Sequence, residues 1–318
     1  MSLRKDVGKM GGDWMVELKN EFGYNPFSVL DSNDSYWVKK KREWLSLGIR
    51  PEIGRESIKL FGDHYGRYER RWGRLPTVSV FDPFLTELMY RWFCPAGGRI
   101  LDLFAGGSVR GIVAEKLGYR YVGIELRKEQ VESNVEQAEQ IGVNPVWVVG
   151  DSMKIDELID ENEKFDMIFT CPPYWNLEIY SDLEEDLSNC RSYDEFLEKY
   201  KEIFRKGIRY LRDNRFVVVV VGNFRDKRTG ELYDLAGDTV RVMKEIGLRF
   251  YNDIIYIQSQ ATLPIRVRRF FKKHRKIGRT HQYVLVFWKG DLDKIVDLGE
   301  IGEKYEVKSL FDYGGGEE

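Results

Sequence analysis

Residues 165–175 read Phe-Asp-Met-Ile-Phe-Thr-Cys-Pro-Pro-Tyr-Trp, an apolar strand pattern followed at once by two prolines and two aromatic residues. Each proline fixes φ and removes a backbone N–H, and the residue before each proline is pushed to an extended conformation. The pattern therefore predicts a buried strand that ends in a stiff loop. Such a loop directs backbone carbonyls outward and leaves the ring of Tyr174 available for stacking.

Strand and helix patterns alternate from about residue 99 onward, on both sides of this stretch. Strands are predicted at Arg99–Phe104, Tyr121–Glu125, Val146–Val149, Phe165–Thr170, Phe216–Val221, Phe250–Ile257 and Tyr283–Trp288. Helices are predicted at Val109–Leu117, Lys128–Ile141, Tyr193–Leu211 and Asp238–Ile246. This alternation is typical of a doubly wound, mostly parallel α/β sheet. Because no helix is evident between the last two strands, we expect that pair to be antiparallel.

Residues 1–78 lack this alternation and carry many aromatic residues among charges. Trp37, Trp44 and Leu45 follow a helical spacing, which predicts one helix that packs on this face and leaves residues 39–42 (Lys-Lys-Lys-Arg) outward. We therefore predict a mostly helical N-terminal extension over residues 1–78, one α/β domain over residues 79–292 and a C-terminal tail over residues 293–318.

Composition narrows the class of protein. The 318 residues are 42% hydrophobic and 32% charged, but the net charge is only −2, so any basic surface must be local. The cysteines are Cys94, Cys171 and Cys190, and neither they nor the three histidines have the spacing of a zinc site. We expect reduced cysteines, no bound metal and a cytoplasmic location. No signal region and no membrane-spanning apolar run is evident, so we expect no membrane partner.

A glycine-rich turn follows the first predicted strand of the α/β domain. Residues 102–108 read Asp-Leu-Phe-Ala-Gly-Gly-Ser, and glycines at a strand-to-helix turn let the backbone approach a ligand at the helix N-terminus. Glu125 ends the next predicted strand, where an acidic side chain accepts hydrogen bonds from ribose hydroxyls in dinucleotide-binding folds. Asp151 follows the third predicted strand.

Basic residues cluster at two places that should meet the Pro-Pro loop. Ligands bind beyond the carboxyl ends of the strands in doubly wound sheets. Residues 222–228 follow the strand at Phe216–Val221, and residues 258–281 would reach the same edge if Phe250–Ile257 is also parallel. No Asp or Glu occurs from Ile254 to Gly290. Such a cluster fits phosphate contacts with double-stranded DNA. The predicted DNA-binding residues are Arg225, Lys227, Arg228, Arg266, Arg268, Arg269, Lys272, Lys273, Arg275 and Lys276.

These motifs resemble those of S-adenosylmethionine-dependent methyltransferases that modify exocyclic amino groups of DNA bases. Residues 171–174 resemble the (Asp/Asn/Ser)-Pro-Pro-(Tyr/Phe/Trp) motif, and residues 176–182 are similar to a phage-type and prophage-type branch of DNA methylases. Residues 102–108 resemble the cofactor loop, except that Ser108 stands where the second glycine usually does. The resemblance implies the class I methyltransferase fold, a Rossmann-like seven-stranded sheet, and S-adenosylmethionine as cofactor. It implies cofactor contacts at Asp82, Asp102, Phe104, Gly106, Ser108, Glu125, Asp151 and Thr170.

The same resemblance implies a catalytic loop of Cys171, Pro172, Pro173 and Tyr174. Tyr174 would stack on a base flipped out of the duplex. The carbonyl of Pro172, together with residue 171, would accept hydrogen bonds from the amino group. Cys171 departs from the family motif, and as a weak acceptor it leaves the target base open. Its size is nearest that of serine, which favours cytosine N4 over adenine N6.

Other activities stay open at this point. Methyltransferases that act on guanine N2 or another amino group in RNA, or on glutamine in protein, use similar loops. Attack of Cys171 on cytosine C5 fits less well, because the motif for that chemistry places cysteine after the prolines. A DNA-binding module without catalysis is the alternative of another class. In a restriction-modification pair, a separate restriction endonuclease would be the partner, since no nuclease motif is visible in this chain.

Overall fold

The computed structural model describes residues 14–50, 53, 81–226, 228–260 and 263–298. Eight strands form one sheet: β1 (Val29–Asp31), β2 (Arg99–Asp102), β3 (Arg120–Glu125), β4 (Val146–Val149), β5 (Phe165–Thr170), β6 (Leu211–Val221), β9 (Arg249–Ile257) and β10 (His281–Lys289). Two further strands, β7 (Phe224–Arg225) and β8 (Leu232–Tyr233), form a separate hairpin. The order across the large sheet is β1-β9-β10-β6-β5-β2-β3-β4.

Strand directions confirm the predicted α/β fold class. Strands β6, β5, β2, β3 and β4 are parallel neighbours. Strand β10 is antiparallel to both β6 and β9, so β9 runs in the same direction as β6. The last two predicted strands are therefore antiparallel as expected. The carboxyl end of β9 also lies at the same sheet edge as that of β5.

The sheet has eight strands rather than seven because β1 pairs in parallel with β9. Residues 29–31 read Val-Leu-Asp, with only Leu30 buried, so this short strand leaves no alternating pattern to detect. The short strand adds to the predicted mostly helical N-terminal extension and was not foreseen from the sequence.

Helices cover both faces of the sheet. The α-helices span Ser35–Ser46, Pro83–Phe93, Val109–Lys116, Lys128–Ile141, Ile155–Leu158, Tyr193–Tyr210, Leu235–Glu245 and Leu263–His274. Residues 14–22 are also helical. The helix Leu263–His274, between β9 and β10, was not predicted. Its apolar residues Leu263, Val267, Phe270 and Phe271 do have a helical spacing, but none of its side chains is buried.

The core has one apolar cluster on each face of the sheet. The valines of β6 at 217–221 are all 0% exposed. Val218 and Val220 join one cluster, whereas Val217, Val219 and Val221 join the other. Successive strand residues point to opposite faces, so an unbroken valine run is what a strand covered on both faces requires.

The helix Ser35–Ser46 packs on the domain as predicted, with Trp37 and Trp44 buried. Lys39 and Arg42 are exposed, but the expectation that all four basic residues face outward was wrong. Lys40 is paired with Glu43, and Lys41 is paired with Asp82. Residues 54–80 and 299–318 lie outside the described residues, so the domain limits at 78 and 292 stay predictions.

Candidate active site

A cavity of about 700 Å³ lies beyond the carboxyl ends of β2, β3, β4, β5 and β9. Its volume is within the usual range of small-molecule sites. Predicted site residues that line it are Asp82, Phe104, Gly106, Glu125, Asp151, Cys171, Pro172, Pro173 and Tyr174. Three predicted cofactor contacts, Asp102, Ser108 and Thr170, do not line it.

Glu125 and the glycine-rich turn form one wall of the cavity. Gly106 has a φ of 54°, a left-handed conformation that favours glycine. Its backbone N–H donates to Glu125 Oε2 at 2.8 Å, and the N–H of Arg127 donates to Glu125 Oε1 at 3.0 Å. Asp151 caps a short 3₁₀ turn by accepting from the N–H of Met153 at 2.8 Å. Both carboxylates are therefore held in place at strand ends.

Asp102 lies behind this wall, fully buried, and joins the ends of β2 and β5. Its carboxylate accepts from Arg110 Nε at 2.5 Å, Tyr121 Oη at 2.8 Å, Thr170 Oγ1 at 2.7 Å and the N–H of Phe104 at 3.1 Å. Arg110 also donates to the carbonyls of Phe104 and Ala105. Burial, followed by the charge of Asp102, raises the pKa of Tyr121 well above its usual range. Asp102 and Thr170 thus shape the turn from behind the cavity.

Ser108, at the position of the second motif glycine, is also buried. Its hydroxyl donates to Gln137 Oε1 at 2.8 Å. The same glutamine exchanges two hydrogen bonds with the backbone of Arg50, at 2.8 and 2.9 Å. The departure from the family motif is therefore accommodated by a tether between the turn, the helix Lys128–Ile141 and the N-terminal extension.

Asp82 connects three parts of the chain at the opposite end of the cavity. One carboxylate oxygen caps the helix Pro83–Phe93 by accepting from the N–H of Phe84 at 2.9 Å and of Leu85 at 3.3 Å. The other oxygen accepts from Trp37 Nε1 at 3.2 Å and Tyr256 Oη at 2.9 Å, and lies 3.0 Å from Lys41 Nζ.

The Pro-Pro loop enters the cavity directly after β5, with Tyr174 held by contacts on two sides. Its ring lies nearly parallel to that of Phe224, with centroids 6.3 Å apart and planes 13° apart. Its hydroxyl accepts from Gln282 Nε2, and Gln282 Oε1 accepts from Gln258 Nε2 at 2.8 Å. Burial raises the pKa of Tyr174 well above its usual range, so the phenol stays neutral.

The loop after Tyr174 is fixed as well. Trp175 has a φ of 40°, which is strained for a bulky residue, and its indole N–H donates to the carbonyl of Cys190 at 3.0 Å.

Gln258 and Gln282 were missed by sequence reasoning. Their places at the end of β9 and the start of β10, on the edge that carries the Pro-Pro loop, are the signal that could have found them. Cys94, Cys171 and Cys190 form no disulfide.

The segment 258–281 between β9 and β10, here called the basic finger, rises from the cavity rim. Gln258 and Ser259 line the cavity at one end, and Gln282 lines it just beyond the other. A methyl group added at Gly278 would lie 2.8 Å from Leu263 Cδ1, so the two ends of the finger contact each other. Its helix carries exposed Arg266, Arg268, Arg269, Lys272 and Lys273, and exposed Arg275 and half-buried Lys276 follow.

The β7–β8 hairpin lies next to the basic finger. A methyl group added at Gly230 would lie 2.6 Å from Lys276 Nζ. Asp226 holds the hairpin turn by accepting from the N–H groups of Arg228 at 2.8 Å and Thr229 at 2.5 Å. Arg225 and Arg228 are exposed there, whereas Lys227 lies outside the described residues. The two predicted basic clusters are therefore neighbours.

The family comparison agrees with these features. A model of the N6/N4 methyltransferase family, described as DNA methylase, matches residues 165–315. The match includes both the Pro-Pro loop and the basic finger, and it confirms the resemblance inferred from the sequence. Residues 165–315, just under half of the chain, are thus similar to an N6/N4-type DNA methylase, a class of methyltransferase that uses S-adenosylmethionine. No curated protein matches the chain.

Solved structures with similar folds are distant. A methyltransferase from Pyrococcus furiosus is 18% identical, with 73% of this chain and 100% of that chain covered and a TM-score of 0.46. A TehB-like methyltransferase from Corynebacterium glutamicum is 19% identical, with coverages of 71% and 98% and a TM-score of 0.41. A candidate DNA modification methylase from Thermus thermophilus is 20% identical, with coverages of 45% and 51% and a TM-score of 0.34. Because these TM-scores are below 0.5, the fold assignment depends on the sheet order described above.

No group of His, Cys, Asp or Glu side chains among the described residues could hold a metal ion. No helix within the same residues is long and apolar enough to cross a membrane.

Proposed function

We propose that the chain transfers a methyl group from S-adenosylmethionine to the exocyclic amino group of a base flipped out of double-stranded DNA, with cytosine N4 favoured over adenine N6. One observation carries this proposal: the Pro-Pro loop, the acidic strand ends and the rim of the basic finger share one cavity of about 700 Å³. The acidic strand ends suit the methyl donor, the Pro-Pro loop suits a single base and the basic finger suits the DNA backbone. These three surfaces are adjacent.

The acidic strand ends suit the nucleoside part of the cofactor. Glu125, at the end of β3, is the acceptor for the ribose hydroxyls, and Asp151, at the end of β4, is the acceptor for the adenine amino group. Gly106 and Phe104 line the same region of the cavity. Asp102, Thr170 and Ser108 act indirectly, because they hold the turn in shape from buried positions. When bound, S-adenosylmethionine supplies an activated methyl group.

The Pro-Pro loop suits the target base. Pro172 and Cys171 line the cavity, and we assign the Pro172 carbonyl, with Cys171 beside it, as the acceptor for the amino N–H groups. These hydrogen bonds would localise the nitrogen lone pair and direct it at the methyl carbon, and such alignment supplies much of the rate. Tyr174, held by Phe224 and Gln282, would present its ring to the flipped base. The excess proton on the methylated nitrogen would leave to water.

The basic finger and the β7–β8 hairpin suit the phosphate backbone. Cations without acidic neighbours give sequence-independent, salt-sensitive affinity for nucleic acid. The residues assigned to this surface are Arg225, Lys227, Arg228, Arg266, Arg268, Arg269, Lys272, Lys273, Arg275 and Lys276. In a restriction-modification pair, a separate endonuclease would cut the same site when it is unmethylated.

The test is transfer of a labelled methyl group to duplex DNA, with structured RNA and unrelated protein as parallel acceptors. We expect label in DNA alone, and we expect the Tyr174→Ala variant to bind S-adenosylmethionine but to transfer little label. Label in RNA with none in DNA would overturn the proposal in favour of an RNA amino-methyltransferase. Cofactor binding with no acceptor labelled would favour a module that has lost catalysis.

A further inference from the structure

Three described residues that line the cavity carry a positive charge: Lys41, Arg110 and Arg127. Two of them are buried within the fold's own contacts. The Arg110 guanidinium donates to Asp102 and to two loop carbonyls. Arg127 is 4% exposed, lies 3.6 Å from Glu125 and donates to Gln130 at 2.7 Å. Lys41 is therefore the cation best placed to meet an anionic group of a ligand.

Lys41 reaches the cavity from the N-terminal extension. Its side chain is 36% exposed, and its Nζ lies 3.0 Å from Asp82 Oδ2. An ammonium group has three N–H donors, so the ion pair with Asp82 leaves donors for a second acceptor. Asp82 itself is nearly buried.

The helix Ser35–Ser46 holds Lys41 at a fixed position. Lys41 is four residues after Trp37 and three before Trp44, so the three side chains share one helix face. Trp37 Nε1 donates to Asp82, and Trp44 Nε1 donates to Glu87 at 2.7 Å. Strand β1, just before this helix, is paired with β9. The ammonium group is thus positioned by buried tryptophans and by the sheet itself.

Its position along the cavity identifies which part of a ligand it would meet. Glu125 and Asp151 lie at the ends of β3 and β4, on one side of the sheet. Lys41 and Asp82 lie beside Tyr256, near the end of β9 on the other side, and the Pro-Pro loop of β5 lies between. A cofactor with its nucleoside over β3 and β4 would therefore extend its amino-acid end toward Lys41 and Asp82.

The acidic lining of the cavity means that a ligand carboxylate needs a cation such as Lys41 beside it. Six acidic residues line it: Asp82, Glu125, Asp151, Glu178, Glu185 and Asp186. A ligand carboxylate entering such a cavity would be repelled unless a cation met it. The adjacent ammonium of Lys41 and carboxylate of Asp82 are complementary to an amino-acid zwitterion, whose carboxylate and ammonium are also adjacent.

We propose that Lys41 binds the α-carboxylate of S-adenosylmethionine, so that the N-terminal extension completes the cofactor site. This inference depends on the proposed function, because it takes that molecule as the ligand. It gives the extension a direct role in binding the cofactor in addition to its packing against the sheet.

The test is calorimetric titration of the full chain with S-adenosylmethionine and with decarboxylated S-adenosylmethionine, which lacks only the carboxylate. We expect the wild type to prefer the carboxylated ligand by about ten- to hundredfold, the range for a hydrogen bond between charged groups. Lys41→Met should remove that preference by weakening S-adenosylmethionine binding alone. Lys41→Arg should retain most of it, and so should Lys40→Met, the matched control whose ammonium pairs with Glu43.

The outcomes separate this inference from the proposed function. If Lys41→Met weakens both ligands equally, its effect is structural and the inference is wrong. If it weakens neither, the carboxylate binds elsewhere and the inference is also wrong. If the wild type binds neither ligand, the proposed function itself fails, and the assignment of Lys41 fails with it.

Discussion

The buried carboxylates around the active-site cavity and the cations of the basic finger differ in how their charges are paired. Asp82, which lines the cavity, and Asp102, which lies behind it, are buried, and each carboxylate accepts from several donors on different elements. The basic finger carries seven cations at 266–276, and none of them forms a salt bridge with any residue that the structure describes. The buried carboxylates therefore stabilise the fold, whereas the cations of the finger are available to a polyanion. Substitutions in the two regions should therefore damage different properties.

The largest effect should come from Asp102. Asp102→Ala would leave the buried guanidinium of Arg110 without its carboxylate partner, and breaking a buried ion pair in this way costs about 3–5 kcal/mol. Urea denaturation should show that loss in the free energy of unfolding. Glu132→Ala, at a side chain 65% exposed, is the control and should change it by less than about 0.5 kcal/mol. Equal effects of the two substitutions would mean that Asp102 does not hold the fold.

Tyr174, in the Pro-Pro loop of the cavity, should affect catalysis more than stability. Tyr174→Ala should lower methyl transfer by about ten- to hundredfold, the range expected for loss of one base–aromatic stack. Tyr174→Phe keeps the ring and loses only the hydrogen bond from Gln282, so its loss should be about two- to tenfold. Steady-state kinetics on duplex DNA would measure both, with S-adenosylmethionine affinity unchanged. Full turnover by Tyr174→Ala would show that the ring does not hold the base.

The basic finger should affect DNA binding alone. If both arginines contact phosphates, Arg268→Ala combined with Arg269→Ala should reduce the slope of log affinity against log salt by roughly two. The free energy of unfolding should stay unchanged, since both side chains are exposed. The matched control is Lys39→Ala with Lys128→Ala, because these lysines are 75% and 76% exposed and lie away from the cavity rim. An unaltered salt slope in the finger variant would place the DNA elsewhere.

The smallest effect concerns a buried phenol of the N-terminal extension. Burial, followed by the charges of Asp34 and Asp31, raises the pKa of Tyr24 to about 12. Because the pKa is higher in the folded state, the stability contributed by Tyr24 is fully present below pH 10 and is lost as the pH rises toward 12. Tyr24→Phe should therefore flatten the fall in unfolding free energy across that interval. An identical decline in wild type and variant would contradict the assigned shift.

Features encoded in short stretches could be predicted from the sequence. The Pro-Pro loop, the glycine-rich turn and the acidic strand ends each depend on a few neighbouring residues, and all of them meet at one cavity. The helix of the basic finger was missed although Leu263, Val267, Phe270 and Phe271 have a helical spacing, because these apolar residues are interspersed with a dense run of basic residues.

Features that depend on distant contacts were missed. Tyr256 and Asp82 are 174 positions apart, and Gln282 and Tyr174 are 108 positions apart, so no local pattern reports either hydrogen bond. For the same reason the sequence could not separate Glu125, which lines the cavity, from Asp102, which lies behind it. The position of Lys41 at the cavity likewise depends on distant contacts, because the helix that carries it is joined to Asp82 by Trp37, 45 positions earlier in the chain.

The central claim is that this cavity joins a methyl donor to the amino group of a DNA base. The most direct test is to incubate the full chain with mixed-sequence duplex DNA and S-adenosylmethionine, digest the DNA to nucleosides and identify the products by mass spectrometry. The account predicts N4-methylcytosine, or N6-methyladenine if Cys171 accepts the larger base, and about ten- to hundredfold less of either product with Tyr174→Ala. Bound cofactor with no methylated nucleoside, or 5-methylcytosine as the product, would contradict it.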